Sequence, residues 1–181
     1  FAYLQNRTYN QYLSKIMYYF HIIINPNIVK SITPILTIQN EKNEKIKICF
    51  LSKFLAFPHS VFKDRSGIIK NLNPKIYDIY VVTSNKYNHL QINSYWKKLK
   101  YIHYHKISFE SKNKSNIINL LQSFNLNILF FCEIGMCQTQ YKIAFHRIAP
   151  IQINTFGHSD TSGLPNIDYF ISSKLFEHSN S

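Results

Sequence analysis

Residues 147–173 read RIAPIQINTFGHSDTSGLPNIDYFISS, and they hold two of the four glycines in the 181-residue chain. Residues 151–156 form a β-branched and aromatic run, which predicts a buried strand. Residues 157–163 are mostly polar and begin and end with glycine, so they predict a loop whose backbone can approach a ligand closely. A second apolar run, 167–171, predicts another strand. Two strands joined by such a loop are typical of the ligand-facing edge of an open α/β sheet.

Upstream of this stretch, apolar runs suited to strands alternate with helical patterns. The predicted strands are residues 45–51, 76–83, 100–104, 126–132, 151–156 and 167–171. The predicted helices are residues 61–72, 88–99, 114–124 and 138–148. Strands that alternate with helices indicate βαβ units, in which helices cover both faces of a parallel sheet. The sequence therefore predicts an α/β, Rossmann-like fold.

Several well-known motifs of α/β enzymes do not occur in the sequence. There is no Gly-x-Gly-x-x-Gly dinucleotide fingerprint, no Gly-Lys-Ser/Thr phosphate loop and no Gly-x-Ser-x-Gly nucleophile elbow. Each of these motifs supplies a backbone shape that its chemistry needs. Their absence argues against a dehydrogenase, a P-loop enzyme and an α/β-hydrolase.

Three segments of the opening stretch resemble a known family. They are Arg-x-Ala-Pro-x-Gln at 147–152, Gly-His-x-x-Thr-Ser-Gly at 157–163 and Asp-Tyr-Phe-Ile-Ser-Ser at 168–173. Together they resemble the core of glycosyltransferase family 41, the O-linked N-acetylglucosamine transferases and their bacterial relatives. Further similar segments follow in the family's order upstream, at residues 45–52, 58–61 and 133–136. The resemblance covers roughly residues 45–178.

The resemblance implies a GT-B glycosyltransferase, in which two Rossmann-like domains enclose a cleft. This chain resembles the N-terminal half of the catalytic region, and the half that binds most of the sugar nucleotide is expected downstream. The implied reaction transfers a sugar from UDP-GlcNAc or UDP-glucose to Ser or Thr of a protein acceptor, and Asn is the acceptor in part of the bacterial branch. The resemblance implies no metal and no cofactor, and the sequence has no Asp-x-Asp motif.

The ends of the sequence suggest a piece of a longer enzyme. The chain starts with Phe1 rather than Met and stops at Ser181, before a second Rossmann-like half. One wall of a cleft cannot exclude water from a transfer reaction. We therefore expect the isolated chain to be inactive.

The resemblance also implies the residues of the site. His59 lies in the loop after the first strand, where relatives carry a histidine at the active centre, and it is the candidate catalytic residue for proton transfer or for positioning the acceptor. The residues expected to contact the donor or acceptor are Phe156, Gly157, His158, Thr161, Ser162 and Gly163. From the residues alone, an exposed loop histidine and an ordinary loop between strands are the alternatives.

Some positions depart from the family pattern or have two interpretations. Glu133 stands where bacterial relatives have Asp, and Ser159 with Asp160 replaces a usual proline and small residue, which puts a carboxylate near the expected donor phosphates. Arg147 suits either a phosphate or the carbonyl groups at a helix end.

Other polar residues near these motifs are predicted to be structural. Asp168 and Tyr169 begin the last strand, and we expect them to hydrogen-bond to the preceding loop. Residues 63–65, Lys-Asp-Arg, begin a helix, and their pattern predicts a solvated helical turn.

Cysteine and histidine spacing favours neither disulfides nor a metal. Cys49, Cys132 and Cys137 are too few and too unevenly spaced for a disulfide framework, which favours a reduced, cytoplasmic location. We predict that Cys132 and Cys137 are core residues rather than ligands. His103 and His105 alternate on a predicted strand, but the nearby sequence offers no third ligand, so no metal site is predicted.

The chain carries a formal net charge of +12, from 21 Lys and Arg against 9 Asp and Glu. Such a surface favours anions, among them a nucleotide sugar, a nucleic acid or an acidic membrane. The lysines are scattered through a sequence rich in Asn, Ile, Lys and Tyr, which favours compositional bias over a nucleic-acid patch. The longest apolar run, 16–24, is far shorter than the roughly 20 residues of a spanning helix, so no membrane partner is predicted.

Two regions are predicted. Residues 1–44 form a helical segment and linker, since apolar residues in 1–24 recur at spacings of three and four. Residues 45–181 form the Rossmann-like half. The leading hypothesis is a UDP-sugar-dependent protein glycosyltransferase, and the alternative is a truncated or degenerate non-catalytic binding module that uses its basic surface.

Overall fold

The computed structural model describes residues 44–156 and 162–173, together with five helical residues of the N-terminal segment, Lys15, Ile16, Tyr19, Phe20 and Ile23. Apart from these five residues and Glu44, the predicted N-terminal segment and linker, 1–44, lies outside the described residues. Among the residues that are described, no helix combines the length and the apolar character needed to cross a bilayer.

The described residues contain alternating strands and helices. The strands are β1 (Ile46–Ser52), β2 (Tyr77–Ser84), β3 (Ile102–Ile107), β4 (Ile128–Phe131), β5 (Ile151–Thr155) and β6 (Tyr169–Ile171). The helices are α1 (Ser60–Asn71), α2 (Leu90–Lys98), α3 (Lys114–Ser123) and α4 (Gln138–Ile143). Short 3₁₀ turns occupy Lys53–Ala56 and Ser111–Asn113.

The strands of the described region form one six-stranded sheet in the order β3-β2-β1-β4-β5-β6. Each neighbouring pair is parallel. Strand order reverses direction between β1 and β4, and in open α/β sheets ligands bind outside the carboxyl ends of the strands at such a point. The predicted α/β, Rossmann-like parallel sheet is confirmed.

Both faces of the sheet are buried, which explains the nearly continuous apolar runs in its strands. On one face Ile48 and Phe50 of β1 pack in a cluster with residues of α1 and α2. On the other face Cys49 and Leu51 pack with residues of α3 and α4. The alternation along β1 thus divides the core into two layers.

Helix α1 presents a buried stripe with a period of four residues, formed by Val61, Arg65 and Ile69. This is the spacing at which side chains share one face of a helix. Helix α2 buries Trp96, whose indole Nε1 donates a hydrogen bond of 2.9 Å to the carbonyl oxygen of Leu55. Both helices are therefore fixed against the same face of the sheet.

The predicted helix 138–148 is too long, because α4 ends at Ile143. The Gln152 side chain explains the early end: its Oε1 accepts a hydrogen bond of 2.8 Å from the backbone N–H of Ile148, and its Nε2 donates one of 3.1 Å to the carbonyl of His146. These bonds satisfy backbone groups outside a helix, so the chain can leave α4 without an energetic penalty.

Three strands, β3, β4 and β6, begin two residues later than predicted. The N–H of Ile102 bonds to the carbonyl of Leu99 at 2.9 Å, which closes a turn before β3, so the predicted strand 100–104 becomes Ile102–Ile107. The N–H of Ile167 likewise bonds to the carbonyl of Leu164 at 3.1 Å before β6.

Arg147, Gln152 and Asp168 form a clamp that joins β5 to the chain entering β6. The Arg147 guanidinium donates to both carboxylate oxygens of Asp168, at 2.5 and 2.9 Å. The same carboxylate accepts from the Gln152 backbone N–H at 2.7 Å. Bidentate, charge-assisted pairs of this kind are among the strong hydrogen bonds in proteins. Asp168 is therefore structural, as predicted, but its side chain bonds to Arg147 and Gln152 rather than to the preceding loop.

We predict that Asp168→Asn lowers the free energy of unfolding by about 1–3 kcal/mol, because the new amide would turn a donor toward an Arg147 donor or toward the Gln152 N–H. Chemical denaturation followed by circular dichroism measures the change. Glu110→Gln is the control: the exposed Glu110 carboxylate pairs with the exposed Lys112 at 3.1 Å, and its loss should cost less than about 1 kcal/mol. Equal losses in the two variants would contradict the clamp.

Candidate functional site

Parallel pairing brings the carboxyl ends of β1, β4 and β5 to one side of the sheet, which we call the carboxyl edge. The chain that leaves β1 runs through a 3₁₀ turn, Lys53–Ala56, to His59. The chain that leaves β4 enters Glu133, and the chain that leaves β5 enters Phe156. The resembling segments at 58–61 and 133–136 therefore follow strands at the carboxyl edge, whereas 147–150 and Asp168 precede β5 and β6 and lie at the opposite edge.

His59 is the N-cap of α1, where its Nδ1 accepts a hydrogen bond of 3.2 Å from the backbone N–H of Val61. The imidazole stacks on Phe54, with ring centroids 4.2 Å apart and planes 12° from parallel. It also meets the edge of Phe57 at 5.6 Å. His59 is half-buried. The side chain is thus held in one orientation rather than lying free in an exposed loop.

The N-cap bond decides which ring nitrogen of His59 is available. A backbone N–H can only donate, so Nδ1 must accept and carries no proton. In the neutral imidazole the proton is then on Nε2. His59 in this position offers an N–H donor, and removal of a proton by Nδ1 would require the cap bond to break.

Glu133, two residues beyond the end of β4, is completely buried, with 0% of its surface exposed. Its Oε1 accepts from the Lys53 backbone N–H at 2.7 Å and from the Gln140 amide. Its Oε2 has no hydrogen-bond partner in the described residues. Burial raises the pKa of Glu133 to about 8, and hydrogen bonds from Ser52, Lys53 and Gln140 oppose that shift. Glu133 therefore ties the turn after β1 to the start of α4, and it is largely protonated at neutral pH.

Arg65 corrects the prediction that residues 63–65 form a solvated turn. Lys63 and Asp64 are exposed, but Arg65 is only 1% exposed. The centre of its guanidinium lies 3.9 Å from the ring centroid of Phe156. The spacing of four from Val61 and from Ile69 is the sequence signal that places Arg65 on the buried stripe of α1.

The predicted loop residues fall partly within the described chain. Phe156 is half-buried and stacks on Arg65, as just described. Ser162 is buried, and its Oγ accepts from the Leu164 N–H at 3.4 Å. Gly163 has a φ of 62°, in the left-handed region that favours glycine. The remaining predicted contacts, Gly157, His158 and Thr161, lie outside the described residues.

Further buried polar groups without partners lie at the same edge. Thr83 is next to last in β2, and Asn154 is next to last in β5. Neither the Thr83 hydroxyl nor either amide atom of Asn154 has a hydrogen-bond partner among the described residues. Almost all buried polar groups in native proteins are paired, so exceptions call for an unseen water, ion or ligand. The carboxyl edge thus gathers the kind of groups that a bound polar molecule satisfies.

Three other candidates from the sequence have structural positions. Arg147 is engaged by Asp168, so the clamp, rather than a phosphate or a helix end, accounts for it. The thiols of Cys49, Cys132 and Cys137 are buried and free, and burial raises the pKa of each. Their interpretation as core residues is confirmed. No group of three His, Cys, Asp or Glu side chains suited to a metal occurs in the described part of the chain.

Comparisons with known proteins indicate the fold. No family model and no curated protein sequence matches the chain. Among solved structures, a mutant O-GlcNAc transferase of Thermobaculum terrenum is similar at a TM-score of 0.62 and 15% identity, over 76% of this chain and 25% of that one. The chain thus spans about a quarter of that transferase. This likeness supports the Rossmann-like fold of a glycosyltransferase half-domain, and at this identity it concerns fold alone.

A second solved structure, the Cj0485 dehydrogenase, is similar at a TM-score of 0.37 and 15% identity, over 66% of this chain and 56% of that one. A TM-score this low supports no conclusion.

The raised pKa of Glu133 predicts a pH-dependent stability. Because the folded state holds this proton more tightly than the unfolded state, the contribution of Glu133 to the unfolding free energy falls as pH rises from about 4.5 to about 8. The slope from one such group is at most about 1.4 kcal/mol per pH unit. Denaturation curves at successive pH values measure it, and Glu133→Gln, a neutral isostere, should remove this slope.

Glu110→Gln is the control, since Glu110 has an exposed side chain paired only with exposed Lys112, and the slope should persist in that variant. An unchanged slope in Glu133→Gln would mean that the folded protein keeps this carboxyl ionised at neutral pH.

Proposed function

We propose that the chain supplies one Rossmann-like half of the catalytic region of a protein glycosyltransferase. The enzyme would move a sugar from UDP-GlcNAc or UDP-glucose to a Ser or Thr hydroxyl of a protein acceptor. The observation that carries the proposal is the carboxyl edge, where the resembling segments that hold His59 and Glu133 lie beside buried polar groups that have no hydrogen-bond partner among the described residues. The likeness of fold to the Thermobaculum transferase supports it.

The proposed reaction sets requirements that the carboxyl edge can meet in part. The acceptor oxygen forms a bond to the anomeric carbon, the bond from that carbon to the diphosphate oxygen breaks, and the hydroxyl proton passes to a base. Negative charge grows on the leaving diphosphate, so hydrogen-bond donors fixed in advance lower the barrier. The amino end of α1 and the N–H groups near it are such donors. The other wall of the cleft is expected from a second Rossmann-like half.

His59 is the proposed catalytic residue, and its geometry favours one of its possible roles. With Nδ1 bound to the Val61 N–H, the neutral ring presents Nε2–H. An N–H group in this position can donate a hydrogen bond to an oxygen of the transferred sugar, of the leaving diphosphate or of the acceptor backbone. The role we assign to His59 is therefore to orient and polarise a substrate oxygen, and the proton of the acceptor hydroxyl passes to another base.

The 181 residues alone should show no sugar transfer, because one Rossmann-like half forms one wall of the proposed cleft and cannot by itself exclude water. Incubation with radiolabelled UDP-sugars and a protein acceptor tests this expectation. Clear turnover by the 181 residues would contradict the need for another domain.

In a protein that carries both halves, His59→Ala should lower kcat about 100-fold, the usual size of the loss when one transition-state hydrogen-bond donor is removed, and leave donor affinity nearly unchanged. His59→Asn separates catalysis from folding, because Asn is a good N-cap but has no imidazole. It should restore the melting temperature lost in His59→Ala without restoring kcat. A kcat restored by Asn would reduce His59 to a helix cap.

A non-catalytic binding module remains the second candidate, and a surface feature favours it. An open depression of about 380 Å³ lies along α2 and is lined in part by Lys97, Lys98 and Lys100. Three lysines around Asn88 and Asn93 give it a basic, polar lining that suits an acidic partner. The binding-module hypothesis is supported if a protein that carries both halves transfers no sugar.

A further inference from the structure

Arg65 is a buried cation that the described residues leave without a hydrogen bond. Its exposure is 1%, and its Nε has no partner among them. Nor does it belong to any of the ion pairs formed within the described part of the chain. Buried charges in proteins are normally paired, because desolvation of an unpaired charge costs several kcal/mol. Arg65 therefore needs a compensating anion.

The nearest acidic groups do not supply that anion. Asp64 precedes Arg65 in α1 and is exposed, and consecutive helix residues do not face each other. Glu133 attracts the charge of Arg65, but the two side chains form no ion pair, and burial raises the pKa of Glu133, which disfavours its charged form. Burial also lowers the pKa of Arg65, but a guanidinium keeps its charge at any physiological pH. A positive charge remains at this position.

The contact with Phe156 involves the face of the guanidinium and does not supply a hydrogen-bond acceptor for its N–H groups. The ring centroid lies 3.9 Å from the central carbon of the guanidinium, so the ring attracts its positive charge. The five N–H donors of arginine point outward in the guanidinium plane, in a fork that matches carboxylate and phosphate oxygens. A ring at this position does not replace an in-plane acceptor, and Nε has no hydrogen-bond partner among the described residues.

The position of Arg65 in the fold favours an anion that binds at the carboxyl edge. Long side chains of a helix lean toward its amino end, and α1 begins at that edge, after His59. Arg65 is six residues beyond His59, roughly 9 Å along the helix axis. The first turn of α1 contains no acidic residue, so the partial positive charge of the helix end adds to that of Arg65.

We propose that Arg65 binds a phosphate-type oxyanion at the carboxyl edge, with Phe156 packed over its guanidinium. The source of this oxyanion rests on the proposed function: it is the diphosphate of the sugar nucleotide. An unpaired buried arginine destabilises the free chain, and the bound diphosphate repays that cost. Arg65 is thus a ligand-binding residue that the family resemblance does not include.

Pyrophosphate is the direct probe, added to the 181-residue chain at low ionic strength and followed by calorimetry and thermal melting. The wild-type chain should bind pyrophosphate and melt at a higher temperature in its presence. Arg65→Met, which keeps the length of the side chain and removes its charge, should weaken binding about 10- to 100-fold. Without pyrophosphate this variant should melt at or above the wild-type temperature, because it no longer buries an unpaired charge.

Lys63→Met is the matched control on the same helix. Lys63 is exposed, so the variant loses one charge from the net +12 without touching the buried guanidinium, and it should bind pyrophosphate as wild type does. Arg65→Lys is a second test that preserves the charge but not the planar fork. It should fold and bind pyrophosphate with an affinity between those of wild type and Arg65→Met.

Several results would overturn the proposal. They are the absence of pyrophosphate binding to the wild-type chain, equal weakening by Lys63→Met, and a large fall in the melting temperature of Arg65→Met, which would make Arg65 a structural cation. Asp160→Asn gives a fourth. If this variant melts far below the wild-type chain in the absence of pyrophosphate, the counter-ion of Arg65 is a carboxylate of the chain itself.

Competition by UDP-GlcNAc separates this proposal from the proposed function. If UDP-GlcNAc displaces pyrophosphate from wild type and not from Arg65→Met, both are supported. If pyrophosphate binding depends on Arg65 but UDP-GlcNAc does not compete, the oxyanion site stands and the proposed donor is wrong. If UDP-GlcNAc binds Arg65→Met as tightly as wild type, the role of Arg65 is wrong while the transferase assignment stands.

Discussion

Parallel pairing of the strands is the constraint on which the rest of this structure depends. Because neighbouring strands run in the same direction, each must be followed by a crossover, and the carboxyl ends of β1, β4 and β5 meet at one edge. Residues far apart in sequence, such as Arg65 and Phe156, come into contact there. The same pairing buries both faces of the sheet, so the hydrophobic stabilisation is large enough to hold unsatisfied polar groups at the edge.

Buried polar groups that have no hydrogen-bond partner among the described residues carry an energetic cost. The Arg65 guanidinium, the Glu133 carboxyl and the Asn154 amide each bury at least one atom with no partner among the described residues, which lowers stability where no other group pairs with it. Such defects are expected at functional sites, where a protein gives up stability for groups held ready for a ligand. Their concentration at one edge, while both core layers consist of well-packed apolar side chains, distinguishes a binding edge from a generally poor core.

The sequence predicted the order of elements well because periodicity and turn residues report local structure. It failed where a distant side chain changed the local outcome: Gln152 binds backbone groups near residue 148 and ends α4 five residues early. Arg65 was missed for a different reason. In the sequence, an arginine one turn from Val61 and from Ile69 interrupts an apolar pattern. In the fold, Arg65 is buried on the same face of α1 as those two residues, and its guanidinium packs against Phe156.

The motif residues that carry the resemblance also divide by physical role. Arg147, Gln152 and Asp168 bond to one another or to nearby backbone, so they fix the path of β5 and of the chain entering β6. Similar residues at these positions therefore indicate a similar architecture and carry no information about the substrate. Chemistry must come from groups that the scaffold leaves unsatisfied, and those include Arg65, which lies outside the motif. A distant relative can thus keep the clamp and change the ligand, which is why the ligand has to be tested at Arg65.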